Sequence, residues 1–199
     1  MIEIINISKD KPYQIFKNFY DEALLVKQKS VEAICISSFN FNKKEVESRF
    51  VNLKYIIENE WTFFSNYGSP KAMDFQSHDQ VAVLLYWREL NLQIRLKSKI
   101  FKSSSILSDN HFQKRTREKN ALAISSYQSK VISSYNEVED SYNKTLSQTN
   151  DQTERPDYWG GFTFIPYYFE FWQGHGNRLN KRNVFKQERN RWIEQFLQP

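Results

Sequence analysis

The chain has 199 residues, a formal net charge of +5 and a mean hydropathy of −0.69, and 16% of its residues are aromatic. This length favours one domain with a real core, and high aromatic content at low hydropathy favours large aromatic contact surfaces. The single cysteine excludes an internal disulfide framework, and the sequence contains no 18-residue apolar run of the kind that spans a membrane. A mild basic excess without a nucleic-acid-binding motif argues against a nucleic-acid partner.

The N-terminal segment MIEIINISKDK lacks the apolar core of a signal peptide, and the lone Cys35 favours a reducing compartment. We therefore expect a cytoplasmic protein with no membrane partner. Residues 1–10 are predicted to form a flexible arm at the start of a single domain that comprises residues 1–199. After Pro12, apolar residues recur at helical spacing and predict a helix over 12–29.

The next part of the chain alternates between apolar, strand-like runs and turn signals. Strands are predicted at 31–39, 45–56, 61–65, 80–87 and 92–102, with a short helix at 71–77 after the turn sequence NYGSP. Residues 92–102 alternate most clearly, with Leu92, Ile94 and Leu96 on one face and Gln93, Arg95 and Lys97 on the other.

The C-terminal half changes first to helical and then back to strand-like periodicity. Helical segments are predicted within 105–127 and 131–146, a flexible loop at 147–154, and strands at 161–165, 168–172, 182–185 and 192–196. Many antiparallel strands with helices packed to one side predict an α+β fold that is mainly β, an antiparallel β-barrel with flanking helices.

A first candidate site consists of Arg49, Lys54, Ser65, Ser69 and Lys71. The last two lie at a turn that opens a helix, and free backbone N–H groups together with Arg and Lys are what a phosphate needs. The same residues could instead be solvated charges at strand edges.

Two further sets of polar residues could contact a ligand. The Gln93 amide could pair with the edge of a heterocycle, although this residue alone favours an exposed strand glutamine. The second set is Arg115, Arg117, Lys119, Gln128 and Ser129. In it Arg115 could grip a second anion, with Gln128 and Ser129 adding hydrogen bonds; the alternative is a basic, solvated helix face.

The stretch from Arg155 to Arg182 combines aromatic residues, four of the five glycines and positive charge. Core aromatics with hairpin turns would explain its tryptophans, but not the two arginines, Arg178 and Arg182, four residues apart near Trp172. We interpret it as one wall of a pocket for a flat anionic ligand. The three histidines show no metal-ligand spacing, so no metal is expected.

Read together, these motifs resemble the pyridoxamine 5′-phosphate oxidase family. The family pattern RP-x-x-WGG-F corresponds to RPDYWGGF at 155–162, EFWQG is present at 170–174, RLHDR corresponds to RLNKR at 178–182, and the final L-x-P is Leu197–Pro199. Upstream, SRFVNLK and SNYGSPK match the R-x-V-x-LK segment and the TN-x-GS-x-K turn of the family.

The resemblance implies a split β-barrel homodimer with flavin mononucleotide (FMN) at the subunit interface. The implied FMN-binding residues are Arg49, Phe50, Val51, Phe64, Ser65, Lys71, Gln93, Gln128, Ser129, Trp172 and Arg182. The implied substrate-binding residues are Lys54, His111, Arg115, Lys119, Arg178 and Asn180.

The resemblance also implies a reaction, in which pyridoxamine or pyridoxine 5′-phosphate gives a hydride to FMN and O2 reoxidises the flavin, releasing pyridoxal 5′-phosphate. No catalytic side chain is expected, because the flavin performs the chemistry. This chain has Asn180 where the family has a histidine, His111 where it has a tyrosine, and Lys119 where it has a serine. Two alternatives therefore remain: a same-scaffold enzyme for a different ring, such as the phenazine-pathway flavoenzymes, or a non-catalytic flavin-binding protein.

Overall fold

The computed structural model of the protein describes residues 1–189 and 191–199. These residues form nine strands: β1 (Glu3–Ile5), β2 (Ala33–Asn40), β3 (Glu45–Ile57), β4 (Glu60–Asn66), β5 (Gln80–Trp87), β6 (Leu92–Lys102), β7 (Trp159–Gln173), β8 (Lys181–Glu188) and β9 (Arg191–Leu197). The same residues form five α-helices: α1 (Lys11–Leu25), α2 (Pro70–Ser77), α3 (Ser105–Gln113), α4 (Arg117–Ser125) and α5 (Asn136–Gln148).

Six of the strands pair in a closed ring. Going round it, β3 pairs with β2, β2 with β5, β5 with β6, β6 with β7, β7 with β4, and β4 with β3 again, and every one of these pairings is antiparallel. The ring closes because β3 and β7 are long enough to pair with different neighbours along their length. Strands β8 and β9 extend the sheet from β7. The predicted mainly-β α+β fold is confirmed.

The core lies where α1 covers the ring. The helix begins near Pro12, and its buried residues recur every three to four positions, so one apolar face meets the sheet. The ring of Phe16 lies 4.4 Å from that of Trp61 and 5.7 Å from that of Trp87, between centroids. The helix ends at Leu25, four residues before the predicted end, and Lys27 has a left-handed backbone (φ 57°).

The clearest alternating patterns gave correct strands. Residues 80–87 and 92–102 form β5 and β6 with the predicted bounds, and alternate residues of each strand are buried. Alternation is informative here because one face of each strand contacts the core.

Three predictions about local structure were wrong. Residues 3–5 do not form a loose arm: they pair in parallel with Tyr55–Ile57 of β3, and Ile2 is buried. Strands 161–165 and 168–172 are one strand, β7, because its ladder with β6 shifts register at Lys97/Ser98 and passes Pro166. The helix predicted within 131–146 is α5, which begins at Asn136 and ends at Gln148. The first two residues of the loop predicted at 147–154 are therefore helical.

None of the described helices is both long and apolar enough to cross a lipid bilayer.

Candidate functional site

A cleft with a volume of about 950 Å³ lies between β3, β4, the start of α2 and the segment from α3 to Ser129. It brings together most of the predicted site residues: Arg49, Phe50, Val51, Lys54, Phe64, Ser65, Lys71, His111, Arg115, Lys119, Gln128 and Ser129. In the sequence these residues span 81 positions, from Arg49 to Ser129, so the ring of strands creates the site.

The side chain of Arg49 is fixed by polar contacts. Its Nη1 donates to Ser38 Oγ at 2.7 Å, and its Nη2 donates to Glu47 Oε2 at 2.9 Å. Ser38 Oγ in turn donates to Asp74 Oδ2 at 2.7 Å, and Asn40 Nδ2 donates to Oδ1 at 2.9 Å. The buried Asp74 thus anchors a network that holds the guanidinium at the edge of the cleft.

Lys71 is a buried cation at the second position of α2. Its Nζ donates to Ser69 Oγ at 3.2 Å, and it forms no ion pair with any described carboxylate. Burial, and then repulsion from Arg49, lower the pKa of Lys71 to about 8. A buried ammonium beside a second cation is stabilised by an anion, and the N-terminus of α2 adds partial positive charge.

The segment after α4 is tied to the end of β4. Ser65 Oγ donates to Gln128 Oε1 at 3.1 Å, and the backbone N–H of Asn66 points to the same oxygen at 3.4 Å. Asn66 Nδ2 also donates to the carbonyl of Ser126 at 3.1 Å. These contacts hold the segment that carries Gln128 and Ser129 against the end of β4, and both residues line the cleft.

Three near-parallel rings form an aromatic wall of the cleft. The rings of Phe64 and His111 stack at 3.8 Å with an interplanar angle of 11°, and Trp159 is nearly parallel to both, at 5.4 Å from Phe64 and 6.2 Å from His111. Tyr55 contacts His111 through a 2.9 Å hydrogen bond to Nδ1. This wall offers flat apolar surface inside a basic cleft.

A second group of cations surrounds His111. Burial, followed by the charges of Arg115, Lys54, Lys114 and Lys119, lowers the pKa of His111 to about 4. The imidazole is therefore neutral at pH 7.

Arg115 is the most constrained of these cations. Its guanidinium lies 4.3 Å from the centre of the Trp159 ring, and its Nη2 donates to the carbonyl of Lys119 at 2.6 Å. Burial lowers its pKa to about 10. Its Nε is buried and has no hydrogen-bond partner among the described residues, so the guanidinium keeps a donor unsatisfied.

Five predicted site residues do not line this cleft. Gln93, Trp172 and Arg182 are register partners on β6, β7 and β8, so they form one row across three strands. Arg182 is held by the buried Glu170, with Nη2 at 2.7 Å and Nε at 2.9 Å from Oε1.

The remaining two lie in the turn before β8. Arg178 is exposed with φ 60°, and its N–H donates to the carbonyl of His175 at 2.9 Å. Asn180 Oδ1 accepts from the N–H of His175 at 3.0 Å, so its side chain stabilises the turn. Asn180 and Arg182 line a smaller cavity of about 320 Å³ beside α1.

Sequence reasoning missed several residues of the cleft. Trp159 was part of a quoted motif but was not assigned to the site, and Lys114 was passed over among its basic neighbours. Tyr55, Glu47 and Asp74 act through contacts with His111 and Arg49, and no local pattern distinguishes such residues before the strands are paired.

A family model described as "Pyridoxine 5'-phosphate oxidase C-terminal dimerisation region" matches residues 159–199. A pyridoxine/pyridoxamine 5'-phosphate oxidase from Herminiimonas arsenicoxydans is 33% identical over 189 residues, which is 94% of this chain and 89% of that protein. A chloroplastic enzyme of the same name from Arabidopsis thaliana is 36% identical over 169 residues, covering 84% of this chain and 32% of that protein.

Solved structures show the same fold. PhzG from Burkholderia lata 383, in complex with tetrahydrophenazine-1-carboxylic acid, superposes with a TM-score of 0.90 at 21% identity, covering 96% of this chain and 93% of that one. A pyridoxamine 5'-phosphate oxidase-related, FMN-binding protein from Nostoc punctiforme PCC 73102 superposes with a TM-score of 0.77 at 13% identity, covering 92% and 97%. At these identities the likeness carries the fold alone.

Relatives above 30% identity along nearly the whole chain carry the family assignment, and they confirm the resemblance found in the motifs. The chain belongs to the pyridoxine/pyridoxamine 5′-phosphate oxidase family.

Proposed function

We propose that the protein is an FMN-dependent oxidoreductase that converts pyridoxamine or pyridoxine 5′-phosphate to pyridoxal 5′-phosphate, with O2 as electron acceptor. The observation that carries this proposal is the distribution of charge in the cleft. One pair of cations, Arg49 and Lys71, lies at the β3–α2 side, a second group surrounds His111, and an aromatic wall lines the cleft between α3 and β4. Two phosphorylated ring compounds bound together would each place their phosphate at one of these two groups of cations.

The residues present fit the phosphate of FMN. Lys71 is buried without a carboxylate partner among the described residues, and Arg49 is already oriented by Ser38 and Glu47. Ser65 and Gln128, which are hydrogen-bonded to each other, supply further polar groups in the same cleft. Charged donors held in place before binding lose little entropy when a phosphate arrives, which favours tight binding.

The flavin ring would use the apolar part of the cleft, with Phe64, Phe50 and Val51 as its neighbours. Phe50 is 76% exposed, which is unusual for a phenylalanine and consistent with a surface that a ligand or a second subunit covers. The chemistry supplied by bound FMN is hydride acceptance followed by reoxidation by O2. The chain's own residues bind and orient both compounds.

The second cation group would bind the phosphate of the substrate. Within the described part of the chain Arg115 Nε has no hydrogen-bond partner, and stacking on Trp159 keeps the guanidinium in place. Lys54 and Lys119 add charge, and His111 adds a neutral polar group. An anion there would satisfy donors that the described residues leave free.

We further propose that the active protein is a homodimer. The family model that matches residues 159–199 describes a dimerisation region, and Phe196, 76% exposed, lies within it. A second copy could bring the row of Gln93, Trp172 and Arg182 to the flavin, and Arg178 and Asn180 to the substrate. This arrangement would explain why these five residues lie outside the cleft of one chain.

A second candidate is an enzyme of the same scaffold that acts on a different ring. It is favoured by Asn180, which replaces the family histidine and whose Oδ1 is occupied by the turn. PhzG, which shares the fold, was solved with a ring that bears a carboxylate. The cations around His111 would bind a carboxylate as well as a phosphate.

The decisive experiment is to purify the protein, record its visible spectrum, and add pyridoxamine 5′-phosphate under air. We expect a yellow protein that forms pyridoxal 5′-phosphate and hydrogen peroxide. A yellow protein that forms neither product would refute this substrate. Turnover of another ring compound would then indicate the second candidate. If no donor reduces the bound flavin, the protein is a non-catalytic flavin-binding protein.

The variant Arg178→Ala tests the assignment of roles. It should slow substrate oxidation more than it weakens FMN retention, because Arg178 is assigned to the substrate. Equal loss of both would contradict that assignment.

A further inference from the structure

The contact between Tyr55 and His111 has a defined geometry. Tyr55 Oη lies 2.9 Å from His111 Nδ1, and the two rings meet edge to face at 5.3 Å and 86°. Tyr55 is 6% exposed on β3, so it is held by the core. Phe64 stacks on one face of the imidazole. The ring of His111 is therefore fixed both in position and in rotation.

With Nδ1 engaged, Nε2 is the ring nitrogen left for a ligand. Nε2 makes no hydrogen bond to a described residue, and His111 lines the cleft. The groups that face the ring are Tyr55 and the cations Lys54, Lys114, Arg115 and Lys119, which, together with burial, keep the imidazole neutral. A neutral imidazole carries one proton, either on Nδ1 or on Nε2.

The surroundings of His111 discriminate between these two tautomers. If Nδ1–H donated to Tyr55, a bare Nε2 acceptor would face the ligand. The four cations of the site attract an anion, which offers acceptors and needs a donor. If the Tyr55 hydroxyl donates to Nδ1, the proton lies on Nε2, where it can donate to that anion.

We propose that Tyr55 is a positioning residue that holds His111 as the Nε2–H tautomer, and that His111 determines specificity by donating to an anionic oxygen of the ring substrate. The identity of that substrate rests on the proposed function, but the tautomer does not. The cations attract the anion over distance, while the fixed N–H selects an oxygen at one position. Tyr55 thus acts on the ligand through His111.

Histidine nitrogen chemical shifts report the tautomer directly. The chain has three histidines, so the His111 signals can be assigned by their loss in His111→Gln in a long-range ¹H–¹⁵N spectrum at pH 7. We expect a protonated Nε2 and an acceptor Nδ1 in the wild type, and a mixed tautomer in Tyr55→Phe. His78→Asn, outside the cleft, should leave the His111 signals unchanged. A protonated Nδ1 in the wild type would overturn the proposal.

Ligand binding gives an independent measurement. His111→Gln keeps an N–H near the position of Nε2, whereas His111→Asn does not. We expect His111→Asn to weaken pyridoxal 5′-phosphate binding about tenfold, because a hydrogen bond to a charged oxygen is lost. His111→Gln should bind about as tightly as the wild type, and Tyr55→Phe, whose tautomer is mixed, should weaken binding about twofold. Binding of pyridoxal, which lacks the phosphate, should change little. Tyr86→Phe, on an exposed tyrosine, is the matched control.

Inorganic phosphate separates this proposal from the proposed function. If the protein binds neither FMN nor pyridoxal 5′-phosphate, but phosphate still shifts the His111 Nε2 signal, the proposed function fails and the role of the pair stands. If His111→Asn binds pyridoxal 5′-phosphate as tightly as His111→Gln does, or if neither phosphate nor pyridoxal 5′-phosphate perturbs Nε2, the role of the pair is refuted.

Discussion

Arg49 and Asp74 are joined through one hydroxyl group beneath the cleft. Arg49 Nη1 donates to Ser38 Oγ, which donates to Asp74 Oδ2, and Arg49 Nη2 lies 4.0 Å from the same carboxylate oxygen. Asp74 is 2% exposed, so this carboxylate balances charge and accepts hydrogen bonds below a site that we assign to a phosphate. The cleft therefore holds its cation in place before any ligand arrives.

This relationship predicts the effect of Asp74→Ala. The change leaves the Ser38 hydroxyl and the Asn40 amide without their acceptor, and we expect the free energy of unfolding to fall by about 1–3 kcal/mol. Urea denaturation of the apo protein measures it. Asp79→Ala is the matched control, because the Asp79–Lys99 pair is exposed, and its stability should change little. Equal effects of the two changes would contradict the structural role of Asp74.

The lowered pKa of Lys71 predicts how FMN binding depends on pH. Its pKa in the apo protein is about 8, below its ordinary value of 10.5, and a bound phosphate favours the charged form. FMN binding should therefore take up a proton above pH 8, and affinity should fall about tenfold between pH 7 and pH 9. Flavin fluorescence titration measures this. Lys71→Gln should bind FMN more weakly with a flat pH profile, and a steep profile in that variant would assign the effect to another group.

The lowered pKa of Lys71 makes the stability of the apo protein change with pH in the opposite direction to FMN affinity. The unfolded chain keeps the ordinary pKa of lysine, so between pH 8 and 10.5 it binds more protons at this position than the folded apo protein does. The contribution of Lys71 to the free energy of unfolding therefore rises with pH over that range. Burying this lysine destabilises the apo protein, a cost that an anionic ligand would offset.

Gly161, the second glycine of the WGG motif, has no room for a side chain. A Cβ on Gly161 would lie 2.4 Å from Ser103 Oγ and 2.8 Å from Ser103 Cβ, so Gly161→Ala must displace the segment that leads into α3. We expect a loss of about 1–3 kcal/mol in the free energy of unfolding. Gly176→Ala is the control, since its Cβ would have no neighbour within 4 Å among the residues that the structure describes. Thermal denaturation of both variants compares them, and an unchanged Gly161→Ala would show that Ser103 can move freely.

Removing the carboxylate of Glu170 should lower stability by leaving its hydrogen-bond donors unpaired. This buried carboxylate accepts from Arg95 at 2.9 Å, from Arg182 and from the hydroxyl of Tyr168 at 2.9 Å. Glu170→Ala leaves these donors unpaired, and we expect a loss of about 2–3 kcal/mol, below the value for a fully buried pair because both arginines are partly exposed. Glu188→Ala, which breaks the exposed Lys186–Glu188 pair, should have little effect in the same urea titration. A stable Glu170→Ala would contradict the anchoring role of Glu170.

Much of the fold could be predicted from alternation and turn signals. Strands β5 and β6 were correct because every second residue contacts the core. The division of β7 at Pro166 was wrong because a register shift in the partner strand accommodates the proline, and a sequence does not show its partner's register. The pairing of β1 with β3 was missed for the same reason.

The candidate site was predictable to the extent that its residues lie in motifs. Arg49, Lys71 and Arg115 were identified from charge and local sequence, and the structure brings them into one cleft. Tyr55 and Asp74 were not, because their roles depend on contacts made across strands and helices. The roles of all these residues remain predictions.

The most direct test of the central claim is to titrate the apo protein with FMN and, separately, with riboflavin, which lacks the phosphate. If Arg49 and Lys71 form a phosphate site, FMN should bind at least about ten times more tightly than riboflavin, and Lys71→Gln should remove most of that difference. Equal affinity for the two flavins, or no binding of either, would contradict the assignment of this cleft to FMN.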